Sequence, residues 1–160
     1  MTRDWTIRPF DEERDAPLRA RVAQRLNPGA TVSPRDPGEL DRYFEAYARG
    51  ERGTEGDTFV AHGPDGAAAG LLSLFSEPDY FTGHLRAYVA FLAVDEVAEG
   101  RGAGRALMAH AERWAQEHGC KEVCLDVWAG NARAIAFYER LGFLPDHIRM
   151  ARPLAGNNPA

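Results

Sequence analysis

Three glycines within five residues separate a strand-like run from a helix-like run near the middle of the chain. The stretch VDEVAEGRGAGRALMAHAERW covers residues 94–114, and its glycines are Gly100, Gly102 and Gly104. A helix N-terminus has unpaired N–H groups and a partial positive charge, so an anion is stabilised there. Glycines at this point let a bulky phosphate approach the amides closely. The stretch therefore predicts an anion site where a strand leads into a helix.

Three phosphate sites have this general chemistry, and the residues after the glycines distinguish them. A nucleotide-hydrolase phosphate loop needs Lys and then Ser or Thr after its last glycine, but Arg105 and Ala106 follow here. The dinucleotide fingerprint needs a glycine at the position of Leu107. The diphosphate arm of coenzyme A is the third, and Arg101 and Arg105 would add positive charge to it.

Hydrophobic periodicity predicts the element order β-α-α-β-β-β-α-β-α-β. This is an α/β (α+β mixed sheet) fold, with helices on the faces of one mixed sheet. Strand 84–94 is nearly apolar in its second half, which predicts a place in the centre of the sheet. The strands are predicted at 6–8, 58–61, 68–75, 84–94, 121–127 and 146–154, and the helices at 11–26, 39–50, 102–118 and 131–141.

Length and charge limit the classes of protein this can be. A chain of 160 residues is enough for one domain, expected over 1–154 with 155–160 as a flexible tail. The net charge of −5 argues against nucleic-acid and anionic-membrane partners. No apolar run is long enough to span a bilayer, and the N-terminus has no apolar segment typical of a signal peptide, so we expect a cytoplasmic protein.

The two cysteines are predicted to be buried thiols. Cys120 and Cys124 lie four residues apart in a predicted strand, which places their Cα atoms about 13 Å apart. A disulfide requires a separation below about 7 Å. We expect neither a disulfide nor a metal site.

The glycine stretch resembles motif A of the GNAT superfamily of N-acetyltransferases, whose pattern is Gln/Arg-x-x-Gly-x-Gly/Ala after a central strand. In the register that keeps the usual spacing from the strand, Gly102 and Gly104 take the two glycine positions. Glu99 then replaces the family's Gln or Arg, which puts a carboxylate near the diphosphate unless it turns to solvent. A second register begins at Arg101 and passes through Gly104 and Ala106.

A second stretch, LDVWAGNARAIAFYERLGF at residues 125–143, is similar to motif B of the same family. The resemblance covers residues 88–143 well, whereas the first 55 residues fit only in their strand-helix-helix order. The matching positions are Asn131, Arg133, Ala134, Phe137, Tyr138, Leu141, Gly142 and Phe143.

The resemblance implies acetyl-CoA as co-substrate. It implies that backbone groups of strand 84–94 pair with pantetheine, and that a bulge opens the slot for it. It also implies that Tyr138 protonates the departing thiolate. The cofactor-binding residues implied in this way are Leu92, Ala93, Val94, Arg101, Gly102, Ala103, Gly104, Arg105, Asn131 and Tyr138.

The general base is less directly indicated. Many family members carry a glutamate on the strand before motif A, but no Asp or Glu occurs between Tyr80 and Val94. Asp126, five residues before Asn131, is the predicted catalytic base, acting through water. His84 is an alternative, because imidazole suits a base at neutral pH. Positioning alone, with water taking the proton, is another.

The predicted function is acetyl transfer from acetyl-CoA to a primary amine of a small molecule or peptide, by direct attack in one ternary complex. A non-catalytic acyl-CoA-binding module is the alternative, since Glu99 and the missing strand glutamate would fit lost chemistry. A phosphate-binding oxidoreductase is a third possibility. The acceptor stays open among polyamine, antibiotic amine, amino acid and protein N-terminus. A homodimer is possible from the family resemblance.

Overall fold

The computed structural model describes residues 4–26, 33–51 and 56–154. The predicted tail, 155–160, lies outside the described residues. Within them, no helix has both the length and the apolar character needed to cross a membrane. The elements in chain order are β1 (Thr6–Pro9), α1 (Glu12–Leu26), α2 (Pro37–Ala48), β2 (Asp57–His62), β3 (Ala68–Pro78), β4 (Leu85–Val94), α3 (Ala103–Glu117), β5 (Glu122–Leu125) and α4 (Ala132–Arg140), with a short 3₁₀ turn (Glu96–Ala98) between β4 and α3.

The strands form one mixed sheet in the order β1-β2-β3-β4-β5. The first three pairs are antiparallel, and β4 pairs with β5 in parallel. A parallel pair needs a crossover connection, and α3 supplies it. The predicted α/β class and mixed sheet are therefore confirmed. The prediction that strand 84–94 is central is wrong by one place, because β3 occupies the centre and β4 lies between β3 and β5.

Side chains alternate along the strands, so the two faces of the sheet pack in two different hydrophobic cores. On β3, Leu72 and Leu74 pack in the cluster that contains Leu107 of α3. Leu71 points the other way and packs with Leu18 and Val22 of α1. This period of two is what a strand buried on both faces requires. The sheet is thus covered by α1 on one face and by α3 on the other.

Two irregularities in β4 shape the part of the sheet that matters for function. Ser73 pairs with Phe91 and Leu74 with Val89, so Ala90 is an extra residue and forms a bulge. The pairing of β4 with β5 ends at Val89 and Leu125. Residues 91–94 of β4 therefore continue to pair with β3 but have no β5 partner. The predicted bulge is confirmed, and it stands where the two strands part.

The predicted last strand, 146–154, is wrong. Residues 143–154 follow α4 without regular secondary structure, and they pair with no strand. Ile148 is 84% exposed and Met150 89% exposed. Alternation of apolar and polar residues favours a strand only where a neighbouring strand supplies backbone partners and a core supplies burial, and this segment has neither.

Leu107 attaches the glycine-led helix to the sheet, since it is fully buried among side chains of β2, β3 and β4. We expect Leu107→Ala to lower the free energy of unfolding by about 2–5 kcal/mol, through lost burial and the cavity left behind. Leu107→Met, which nearly conserves volume, is the matched control and should cost less than about 1.5 kcal/mol. Urea denaturation measures both. Equal losses in the two variants would contradict this account of the packing.

Candidate active site

The unpaired edge of β4 forms one wall of the candidate site. Leu92, Ala93 and Val94 pair with Leu72, Leu71 and Gly70 of β3 on one side only. Because the β5 pairing has already ended, the other edge presents backbone donors and acceptors that lack a strand partner. An exposed strand edge of this kind can bind an extended ligand through main-chain hydrogen bonds.

The N-terminus of α3 follows the end of β4 after eight residues and lacks a side-chain cap. The first hydrogen bond within the helix runs from the Ala106 N–H to the Gly102 carbonyl, at 3.0 Å. Gly102 is the cap position and makes no capping bond, and the first turn contains no acidic residue. By contrast, Asp36 caps α2 and Asn131 caps α4 through their side chains. Within the described residues, the amides that open α3 therefore have no side-chain cap, and the helix dipole favours negative charge at this position.

At two of the positions, the structure explains the need for glycine by local backbone conformation or packing, apart from access for a phosphate. Gly102 has φ +97°, in the left-handed region that favours glycine, and a Cβ there would lie 3.4 Å from Trp5 Nε1. That indole N–H donates to the Arg101 carbonyl at 3.2 Å, which ties the residue before β1 to the loop. A Cβ on Gly104 would lie 3.2 Å from the Phe137 ring, so the close approach of α4 is one reason for a glycine here. These positions fit the first motif register.

Charged side chains surround the loop. Arg101 and Arg105 are exposed. Glu99, which immediately precedes the glycines, is paired with Arg25 at the end of α1 and with Arg133 at the start of α4, the latter at 2.7 Å. The Glu99 carboxylate is therefore paired with two arginines and does not simply face solvent.

The helix α4 brings the motif B residues to the same region. The Asn131 side chain accepts from the Ala134 N–H at 3.1 Å, so it acts as an N-cap. Tyr138 packs edge-to-face against Phe137 and Phe143. Burial raises the pKa of Tyr138 to about 12. The phenol is therefore protonated at neutral pH and available as a hydrogen-bond donor.

Asp126 follows the last residue of β5, where that strand parts from β4. Its carboxylate is exposed to solvent and accepts a hydrogen bond of 2.8 Å from the Tyr88 hydroxyl of β4. Burial, and then this hydrogen bond, raise the pKa of Tyr88 above its usual range. Tyr88 thus stays protonated and orients the carboxylate. This pairing was not expected from the sequence; in the sheet, Tyr88 is in register with Cys124, two residues before Asp126.

The other candidate base lies elsewhere. His84 precedes the first residue of β4, whereas the strands part at Ala90, which is about 20 Å further along the strand. The structure does not bring His84 to the site. Both cysteines are free and only half-buried, rather than fully buried as expected.

A model of the acetyltransferase (GNAT) family matches residues 19–143. This chain belongs to the GNAT family of acetyltransferases. The GNAT protein is 39% identical over 99 residues to streptothricin acetyltransferase of Streptomyces lavendulae, a match that covers 59% of this chain and 50% of that relative. It is 30% identical over 108 residues to aminoglycoside N(6')-acetyltransferase type 1 of Stenotrophomonas maltophilia, covering 66% of this chain and 71% of the relative. The match thus spans only half of the first of these relatives.

Solved structures share the fold of this GNAT protein. An acetyl transferase from Pyrococcus furiosus superposes with a TM-score of 0.71 at 26% identity, covering 94% of this chain and all of the other. The structure of AAC(6')-Iy in complex with the bisubstrate analogue CoA-S-monomethyl-acetylneamine superposes with a TM-score of 0.65 at 20% identity, covering 95% and 99%. This second likeness establishes the fold alone.

Titration of the tyrosines tests the Tyr88–Asp126 hydrogen bond in this GNAT protein. The carboxylate contributes to the raised pKa of Tyr88, so Asp126→Asn should lower that pKa and Tyr88 should ionise earlier as the pH rises. The measurement is tyrosinate absorbance against pH, with Tyr88→Phe used to assign the signal. Asp146→Asn, which removes an exposed carboxylate elsewhere, is the control. An unchanged titration curve in Asp126→Asn would contradict the contact.

Proposed function

We propose that this protein transfers an acetyl group from acetyl-CoA to an amine of a small molecule, by direct attack in a ternary complex. One observation carries the proposal: the free edge of β4, residues 90–94, is followed eight residues later by the uncapped N-terminus of α3. An extended thioester arm and a diphosphate need these two kinds of backbone site in this order. The domain that does this is proposed to span residues 1–154.

The thioester arm is proposed to lie along β4. Backbone groups of Leu92, Ala93 and Val94 would pair with pantetheine as an added strand does. One N–H of this edge would also face the thioester carbonyl and stabilise the negative charge that develops on its oxygen. Because these donors are held by the β3 pairing, they need no reorganisation during the reaction.

The diphosphate is proposed to bind at the start of α3. The unpaired amides and the positive end of the helix favour an anion there, and two exposed arginines add charge. Asn131, held at the start of α4, is proposed to line the adjacent part of the cofactor. The residues assigned to this end of the cofactor are Arg101, Gly102, Ala103, Gly104, Arg105 and Asn131.

The chemistry requires a proton to leave the amine and negative charge to be stabilised on sulfur. An alkyl ammonium, with a pKa near 10, must lose a proton before its nitrogen can attack the carbonyl carbon. Asp126 is proposed to accept that proton through water. When the C–S bond breaks, Tyr138 donates a hydrogen bond to the thiolate. Full proton transfer from a phenol of pKa about 12 to a thiolate whose acid has a pKa near 8.5 is uphill, so the thiolate leaves hydrogen-bonded to Tyr138 and takes up the second proton that the nitrogen loses as the amide forms.

The acceptor is proposed to be a small-molecule amine. The two relatives above carry names that refer to streptothricin and to an aminoglycoside, and the first of them matches this chain at 39% identity over 99 residues. These names favour a small polar amine over a protein N-terminus. The exposed carboxylate of Asp126 beside the gap is suited to an approaching ammonium group.

Thiol release from acetyl-CoA with a panel of amines tests the function. The panel contains streptothricin, aminoglycosides, polyamines, amino acids and a peptide with a free N-terminus. We expect release above the amine-free background with at least one small-molecule amine. Binding of acetyl-CoA without release for any amine would favour the non-catalytic acyl-CoA-binding module instead.

Removing the Tyr138 hydroxyl should affect turnover more than binding. We expect Tyr138→Phe to lower kcat by about 10- to 100-fold, with little change in KM for acetyl-CoA, because the hydroxyl acts on charge that appears only as the C–S bond breaks. Tyr80→Phe, at a tyrosine that is 88% exposed, is the matched control. Steady-state kinetics gives both constants. Unchanged kcat across pH would remove Tyr138 from the mechanism.

Removing the proposed base should also reduce the rate rather than the affinity. Asp126→Asn keeps the shape of the side chain and an acceptor for Tyr88, and we expect kcat to fall by about tenfold or more while the Kd for acetyl-CoA changes by less than about twofold. Kinetics and calorimetry measure the two effects. The opposite pattern would make Asp126 a structural residue at the end of β5.

A further inference from the structure

Glu99 occupies the position where the family pattern has Gln or Arg, and the structure gives it two cationic partners from distant elements. Arg25 reaches it from the last turn of α1. Arg133 reaches it from the first turn of α4, with a charge-assisted hydrogen bond of 2.7 Å. The Glu99 side chain is 26% exposed, whereas that of Arg133 is 75% exposed. The Glu99 carboxylate, which would otherwise repel a diphosphate, is therefore paired with two arginines.

The Glu99–Arg133 ion pair joins two elements at the start of α3. Glu99 lies between the end of β4 and the start of α3, three residues before Gly102. Arg133 lies beyond β5, in the first turn of α4. The ion pair therefore connects α4 to the loop that leads into the uncapped amides of α3.

We propose that the Glu99–Arg133 ion pair is a displaceable latch at the diphosphate end of the cofactor cleft, and that the diphosphate of acetyl-CoA takes Arg133 from Glu99 on binding. This inference rests on the proposed function. A diphosphate offers a guanidinium more charge and a bidentate partner, whereas an ion pair with a mostly exposed arginine contributes little stability.

Arg25 lowers the free-energy cost of moving Arg133 from Glu99 to the diphosphate. When Arg133 leaves, Glu99 keeps its ion pair with Arg25, so no unpaired carboxylate faces the incoming anion. Three arginines, namely Arg101, Arg105 and Arg133, are then directed to the diphosphate. Arg133 is thus available to the diphosphate only when the anion is present, and it is held by Glu99 otherwise.

The opposing account is that Glu99 merely holds Arg133 in place and that the ion pair persists in the complex. The two possibilities predict opposite effects of Glu99→Gln on the affinity for CoA. If the pair is a latch, the substitution removes a competitor for Arg133 and CoA binds more tightly. If the pair is a support, the substitution releases Arg133 from its binding position and CoA binds more weakly.

The test is a double-mutant cycle of CoA affinity, measured by calorimetry on the full chain at constant ionic strength. We expect Glu99→Gln to lower the Kd about two- to fivefold and Arg133→Gln to raise it about three- to tenfold. The loss from Arg133→Gln should be larger in the Glu99→Gln background. Inorganic pyrophosphate, as a competitor of CoA, should show the same order of affinities.

The controls carry the same changes of charge away from the latch. Glu96→Gln lies three residues earlier on the same turn, and Arg140→Gln lies at the far end of α4, and both should leave the Kd for CoA within about twofold. Weaker or unchanged binding by Glu99→Gln, or unchanged binding by Arg133→Gln, would overturn the latch. Absence of CoA binding by the unmodified protein would instead overturn the proposed function.

Discussion

The end of the β4–β5 pairing at Val89 and Leu125 is the constraint on which the candidate site depends. Beyond it, residues 91–94 of β4 are held by β3 on one side and open on the other. A strand edge left open in this way is usually a liability, because its backbone groups invite pairing with another chain. Here the open edge is short, and the bulge at Ala90 marks the point at which it begins.

The distribution of charge beyond that open edge is set by tertiary contacts. The uncapped N-terminus of α3 supplies fixed partial positive charge, and the arginines nearby come from three separate parts of the chain. Glu99 offsets part of this charge in the free protein. Because arginine–carboxylate pairs at a surface are weak and arginine–phosphate pairs are stronger, such an arrangement favours exchange over permanent pairing.

Most of the fold and part of the site could be predicted from local pattern. The glycine stretch located the start of α3, and the helix predicted at 131–141 begins at the residue that caps α4, because helix ends depend on a few neighbouring residues. The strand predicted at 146–154 failed because its alternation was a local property, whereas strand formation needs a partner. The Tyr88–Asp126 hydrogen bond and the ion pairs of Glu99 were missed, since residues 34 to 74 positions apart in sequence show no joint signal in one sequence.

The sequence by itself determined the helices, five of the strands and the resemblance to motifs A and B, because each depends on short-range pattern and periodicity. Only the tertiary structure decided that Gly104 admits the ring of Phe137, that Tyr88 orients Asp126, and that Glu99 faces arginines rather than solvent. These contacts join elements that meet only after the sheet has assembled. Their energies depend on distance and burial, which residue order alone does not specify.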